Sequence, residues 1–189
     1  MKAFPEIGPG WTLFLDRDGV INERIFDNYV LDWSAFRFTE GLLANAAKIG
    51  AAFSQIIVVT NQQCIAKGLL SPAALDTIHQ KMCDELQKAG LHIDHVFAAT
   101  EFKNGQDQRR KPSSKMAHEA QALFPAIDFQ KSIMVGDTNT DIQFGQRLGM
   151  YTILVESIER IKETPDLRIA HLAQLSTFLW KFQSYYFSL

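Results

Sequence analysis

Leu13-Phe14-Leu15-Asp16-Arg17-Asp18-Gly19-Val20-Ile21-Asn22 is an apolar run that closes on two carboxylates one residue apart, with a glycine following at once. Along a strand, residues i and i+2 point to the same side. Asp16 and Asp18 can therefore both face one pocket where the strand opens into a loop. Two carboxylates in that position repel each other unless a cation lies between them or one keeps its proton. Either solution is a setting for chemistry. The plainer alternative is a strand that ends in a polar turn, since Asp-Gly is a common turn pair.

Three further segments bear on that choice. Val58-Val59-Thr60-Asn61-Gln62 is a second apolar run ending in small polar residues, and Arg109-Arg110-Lys111-Pro112 is a basic cluster ahead of a helical pattern. Ile133-Met134-Val135-Gly136-Asp137-Thr138-Asn139-Thr140-Asp141 is a third apolar run, ending in Gly-Asp with another Asp four residues on. Strands are predicted near 11–16, 55–60, 94–99, 131–136 and 151–155, with a short one near 167–170. Helices are predicted near 40–50, 72–89, 113–124, 139–149 and 171–182. Ser71-Pro72 reads as an N-cap followed by proline at the first helical position, and Gly90 as the stop of that helix.

Alternation of buried strands with helices argues for a parallel sheet covered on both faces, a three-layer α/β/α Rossmann-like fold. Ligands of such sheets bind beyond the carboxyl ends of the strands, which is where Asp16, Thr60 and Asp137 fall. Asn22 to Thr39 has little regular pattern but holds Phe26, Tyr29, Trp33, Phe36 and Phe38. It is expected to be a loop packed over the mouth of the site.

With 189 residues, 47% of them hydrophobic, the chain can bury the core of one domain, taken here as 1–189 with a core of 11–182. A net charge of −2 gives no electrostatic footprint for nucleic acid, so phosphate recognition has to be local. Cys64 and Cys83 are too few for a disulfide framework and fit a reducing compartment. Met1 to Gly10 lacks the apolar core of a signal peptide, and no apolar stretch approaches a membrane span. The expectation is a cytoplasmic protein with neither nucleic-acid nor membrane partner. His79, His92, His95, His118 and His171 show no metal-ligand spacing and are read as structural or surface residues.

In this order the four segments resemble the haloacid dehalogenase (HAD) superfamily of phosphohydrolases. There the sequence runs Asp-x-Asp-Gly, then Thr or Ser, then Lys, then Gly-Asp-x-x-x-Asp. The likeness spans residues 11 to 170 and implies a Mg²⁺-dependent phosphatase in a single HAD-like hydrolase domain. It gives Asp16 the role of nucleophile, forming an aspartyl-phosphate, and Asp18 that of general acid and base. Mg²⁺ would be held by Asp16, the backbone carbonyl of Asp18 and Asp137. Thr60 and Asn61 would donate to phosphoryl oxygens, and Lys111 would neutralise those oxygens and hold Asp16. Arg110 could clamp a second anionic group, and Asn22 is assigned to the substrate side. Asp141 is either an outer partner of the metal through water or a first-turn acid favoured by the helix dipole. The intervals between motifs leave no room for a cap domain.

Within the superfamily the likeness is greatest to the uncapped heptose-bisphosphate and histidinol-phosphate phosphatases. It rests on Asp16 to Asn22, Tyr29-Val30, Val58 to Gln62, Ile65-Ala66-Lys67-Gly68, Arg110-Lys111-Pro112 and Val135-Gly136-Asp137. The implied partner is a small phosphorylated metabolite, with D-glycero-D-manno-heptose 1,7-bisphosphate leading and histidinol phosphate or another small metabolite as alternatives. A catalytically silent binding protein on the same fold is the alternative of another class. Retention of Asp16, Asp18, Thr60, Lys111 and Asp137 speaks against it.

Three departures from that pattern stand out. Ala98 to Arg109 holds neither cysteine nor histidine where those phosphatases carry a zinc loop, so no structural zinc is expected. Gln63-Cys64 replaces Ser-Gly, and Cys64 is expected to narrow the phosphate pocket. Thr138 stands where a lysine often follows the aspartate, which removes a positive charge near the metal.

Overall fold

The computed structural model describes residues 2–103 and 108–183. Six strands, β1 (Thr12–Leu15), β2 (Gln55–Asn61), β3 (His95–Ala99), β4 (Ser132–Gly136), β5 (Tyr151–Val155) and β6 (Leu167–Ile169), form one sheet in the order β3-β2-β1-β4-β5-β6. Every pairing is parallel. Among the described residues five α-helices accompany it: α1 (Leu42–Gly50), α2 (Pro72–Lys88), α3 (Lys115–Leu123), α4 (Asn139–Arg147) and α5 (Leu175–Gln183).

Residue alternation in the strands explains the three layers. Leu13 and Leu15 of β1 join Val58 and Val135 on one face, against Ala46 and Ile49 of α1, Ile78 and Met82 of α2, and Leu175 of α5. Phe14, between them, points to the opposite face with Ile57, Val59 and Met134, against Met116 and Ala120 of α3 and Phe144 of α4. Each of the buried Leu, Ile, Val, Phe and Met side chains stabilises the fold by about 1.5–3 kcal/mol through removal from water. Phe14→Ala would cost about 3–5 kcal/mol, since its neighbours on both sides are fixed in regular elements.

The helix boundaries follow local chemistry. Ser71 Oγ accepts from Ala74 N at 3.2 Å with Pro72 at the first helical position, so α2 starts where the sequence predicts. Helix α3 starts two residues later than predicted, after Ser114, which makes no side-chain cap. Among the described residues, the segment between β1 and β2 holds one short 3-10 turn and α1, and that between β2 and β3 holds α2. No cap is inserted at either place.

Strand order reverses direction at β1. Chain order runs outward from it through β2 to β3 on one side, and through β4, β5 and β6 on the other. A crevice therefore opens beyond the carboxyl ends of β1 and β4, the position at which open α/β sheets bind ligands.

Candidate active site

Three carboxylates meet in that crevice. Asp16 follows β1 and donates its backbone N–H to Val135 O at 2.9 Å, which ties it to β4. Asp137 follows β4. Asp141 lies in the first turn of α4, where its Oδ2 accepts from Thr138 N at 3.0 Å and from Thr138 Oγ1 at 2.6 Å in a capping box. All three are buried, and one oxygen of each lies within 4.8 Å of the others. Two glycines permit this approach. A Cβ on Gly19, whose φ is +90°, would run into the Asp137 carboxylate, and one on Gly136 would run into Asp141. Asp141 thus caps α4 and also faces the other two carboxylates.

Lys111 is the counter-charge. It is 2% exposed, and its Nζ lies 2.8 Å from Asp16 Oδ1, 2.6 Å from Asp141 Oδ1 and 2.6 Å from Val59 O. Two carboxylates and a carbonyl thus surround the ammonium. Burial alone would lower its pKa, but the charges of Asp141 and Asp16 outweigh this and raise it, so Lys111 stays cationic. Asn61 sets the backbone of this lysine: its Oδ1 accepts from Lys111 N at 2.9 Å and its Nδ2 donates to Lys111 O at 3.4 Å. Asn61 also borders the pocket, as expected, but its amide is already engaged.

The acids outnumber the bases. Burial pushes Asp16 up to about 6, with Lys111 opposing and Asp141 assisting. Burial and then the charges of Asp16 and Asp141 raise Asp137 to about 8, against Arg24. Asp137 Oδ1 is buried with no hydrogen-bond partner among the described residues. A set of hard oxygen ligands in which Asp137 Oδ1 is buried and bare fits a small divalent cation such as Mg²⁺.

Asp18 is held differently. Arg17, fully buried, places Nη2 2.8 Å from both Oδ1 and Oδ2 and Nε 3.2 Å from Oδ1. Asn22 Nδ2 donates to Oδ1 at 2.9 Å and Gln62 Nε2 to Oδ2 at 2.8 Å. Burial pushes Asp18 upward, but these partners, Arg17 first, hold its carboxyl below the usual range. Arg17 Nη1 in turn lies 3.2 Å from His79 Nε2. His79 must be neutral to accept that bond. Burial, followed by the Arg17 charge, depresses it to about 3. Gln62 Nε2 also donates to Thr60 Oγ1 at 2.9 Å.

Asp16, Asp18, Thr60, Asn61, Arg110 and Asp137 all line one pocket of about 340 Å³, within the range of small-molecule sites. Asn22 does not line it. It is 0% exposed and bonded to Asp18 and to Glu23 O, so it supports Asp18 rather than touching a ligand. Cys64 is likewise buried, with Sγ 3.7 Å from Gln62 Oε1, and does not narrow the pocket; Gln63 is its neighbour on the wall.

The aromatic loop divides in two. Trp33 stacks on Phe36 with centroids 4.8 Å apart, Phe38 meets Phe36 edge-on at 5.1 Å, and all three pack onto the core instead of the mouth. Arg24, Tyr29 and Val30, in the preceding stretch, line the pocket. Tyr29 lies under Lys67, whose Nζ is 5.1 Å from the ring centroid. The charge missing at Thr138 is supplied by Arg24, whose Nη1 lies 3.0 Å from Asp137 Oδ2.

Arg110 stands on the pocket wall with its backbone N–H donated to Glu101 Oε1 at 3.0 Å. Arg109 turns away to Glu119 and Ala98 O. Of the stretch in which no zinc is expected, residues 104–107 lie outside the described residues.

Comparison with known proteins agrees with this architecture. The HAD-hydrolase-like family model matches residues 108–175. The chain is 32% identical over 141 residues to the D-glycero-alpha-D-manno-heptose-1,7-bisphosphate 7-phosphatase of Mycobacterium tuberculosis, covering 75% of this chain and 74% of that one. It is 38% identical over 153 residues to the protein of the same name from Burkholderia mallei, covering 76% and 78%. A crystal structure of the D,D-heptose 1,7-bisphosphate phosphatase of B. bronchiseptica, complexed with magnesium and phosphate, superposes with a TM-score of 0.81 at 26% identity, covering 90% of this chain and 98% of that one. A strand-end acidic cluster, a buried lysine across it and relatives that share both fold and sequence therefore lead to one conclusion: the chain belongs to the heptose-1,7-bisphosphate 7-phosphatase family of HAD-type hydrolases.

Proposed function

We propose that this chain is a Mg²⁺-dependent phosphomonoesterase in which Asp16 is the nucleophile. The observation that carries the proposal is the cluster of Asp16, Asp137 and Asp141, with the buried Lys111 ammonium paired to Asp16 and Asp141. Asp16, Asp137 and the backbone carbonyl of Asp18 would hold the ion. When bound, it supplies positive charge that lets a carboxylate and a phosphate dianion approach each other.

The chain's own residues do the rest. Lys111 fixes Asp16 Oδ1, which leaves Oδ2 to attack phosphorus. Thr60 and Lys111 offset charge that builds on the phosphoryl oxygens. The phosphoryl group passes to Asp16, and the alkoxide leaves with a proton from Asp18. Asp18 then takes a proton from the water that attacks the aspartyl-phosphate, and inorganic phosphate departs. Arg17, Asn22 and Gln62 favour the carboxylate form of Asp18 and so favour the second half. Arrival of a phosphate dianion beside Asp18 raises its proton affinity and serves the first half.

Arg110 and Lys67, both cationic and both on the wall, support a substrate with a second anionic group. Heptose 1,7-bisphosphate, the substrate named for the relatives, suits that wall. Two unpaired cysteines, Cys64 and Cys83, support a reducing compartment such as the cytoplasm. Phosphate release from a panel of phosphorylated sugars, with Mg²⁺ and then with chelator, tests the reading. Activity on the heptose bisphosphate that chelator abolishes is expected. Undiminished turnover in chelator would contradict it.

A further inference from the structure

Asp137 is held by a residue that lies in no motif. Arg24 stands in the loop after β1, 113 residues away in sequence. Its Nη1 lies 3.0 Å from Asp137 Oδ2 and its Nη2 lies 2.7 Å from Glu159 Oε1. The arginine side chain is 30% exposed, whereas that of Asp137 is 1% exposed. One oxygen of this carboxylate is thus covered by a guanidinium, and the other, Oδ1, is buried and bare. Thr138, next in sequence, carries no charge and spends its hydroxyl on Asp141. Arg24 and Lys111 are the two cations in contact with the three carboxylates among the described residues.

We infer that Arg24 sets how tightly this site holds its divalent cation: the guanidinium on Oδ2 of Asp137 repels an ion on the same carboxylate and keeps Mg²⁺ binding weak and reversible. The inference rests on the acidic cluster being the Mg²⁺ site. A unit positive charge close to a divalent ion in a partly buried site acts against binding through Coulomb repulsion. Glu159 holds the far side of the guanidinium, so Arg24 is anchored and the repulsion persists when an ion arrives. In the metal-free protein the same contact has the opposite sense, because it offsets the repulsion among Asp16, Asp137 and Asp141.

Calorimetric titration with Mg²⁺ in the absence of substrate tests this on the native protein, Arg24→Gln and Arg24→Lys, alongside melting curves in chelator. Arg24→Gln is expected to bind Mg²⁺ on the order of tenfold more tightly and to melt at a lower temperature in chelator. Arg24→Lys, which keeps the charge, is expected to remain within about threefold of the native protein. Arg24→Gln that binds Mg²⁺ equally or more weakly, while the native protein binds normally, would overturn the inference and make Arg24 an orienting partner of Asp137. A native protein that takes up no Mg²⁺ would overturn the metal reading itself, and the inference with it.

Discussion

The floor and the wall of the pocket are built on different terms. Asp16, Thr60, Asp137 and Asp141 form the floor with Lys111 buried beneath it, and none of the five is more than 8% exposed. Asp16, Thr60 and Asp137 sit at strand ends, Asp141 in the first turn of a helix, and Asn61 clamps the backbone of Lys111. The wall comes from loops: Arg24 and Tyr29 after β1, Lys67 after β2, and Arg110 after β3. Of its cations, Lys67 and Arg110 border the open pocket, whereas Arg24 reaches across to Asp137 and Glu159. The contrast teaches that the reaction is set by the sheet, while substrate choice is left to segments that can vary without disturbing it.

The sharpest way to break this comparison is to change the floor and watch every substrate. Asp16→Asn keeps the shape and removes the nucleophile, so turnover of heptose bisphosphate and of a small aryl phosphate should both fall by more than about a thousandfold. A loss confined to one substrate would show that Asp16 belongs to the wall. Lys111→Met tests the floor as structure. It leaves Asp16 and Asp141 buried without their counter-charge, and a urea melt in chelator should register a loss of about 3–5 kcal/mol.

The wall should respond selectively. Arg110→Ala should raise KM for the bisphosphate by about ten- to a hundredfold, the worth of about 1.5–3 kcal/mol for a hydrogen bond to a charged group. The aryl phosphate, with no second anion, should be untouched. Equal losses on both substrates would move Arg110 to the reaction centre and erase the division.

A smaller effect sharpens the support beneath the floor. The unfolded chain protonates His79 below its ordinary value of 6.5, the folded chain only below about 3. Stability from this site is therefore complete above 6.5 and lost as pH falls toward 3. Against its value at neutral pH, the protein should lose about 2 kcal/mol by pH 5 from this group alone. His79→Gln, which can still accept from Arg17, should flatten that part of the profile.

The sequence carried the strand-end part of the floor, Asp16, Thr60 and Asp137, because strand-end motifs place side chains by a fixed period, whereas Lys111 and Asp141 lie off the strands. Leu13 to Asp18 and Ile133 to Asp137 could be aligned on one edge of a parallel sheet without knowing any contact. The helices were equally legible where a cap marks them, as at Ser71-Pro72. The wall was not, since Asn22 to Thr39 has no period. Nothing local distinguishes Tyr29, which borders the pocket, from Phe36, which packs on the core. Arg24 meets Asp137 and Glu159 across long intervals of sequence, and only the fold brings them together. Arg17 did leave a signal. A residue between two inward carboxylates has to find its own buried partners, and an arginine there demands both a carboxylate and an acceptor. Asn22 was legible as part of the site, but its burial makes it a support for Asp18.

The central claim is that the phosphoryl group passes through Asp16, and rapid acid quenching followed by peptide mass analysis tests it most directly. Enzyme mixed with Mg²⁺ and the bisphosphate should yield a peptide carrying one phosphoryl group on Asp16, which disappears on base treatment and never forms in Asp16→Asn. Full turnover with no adduct on Asp16, or an adduct on another residue, would contradict the account.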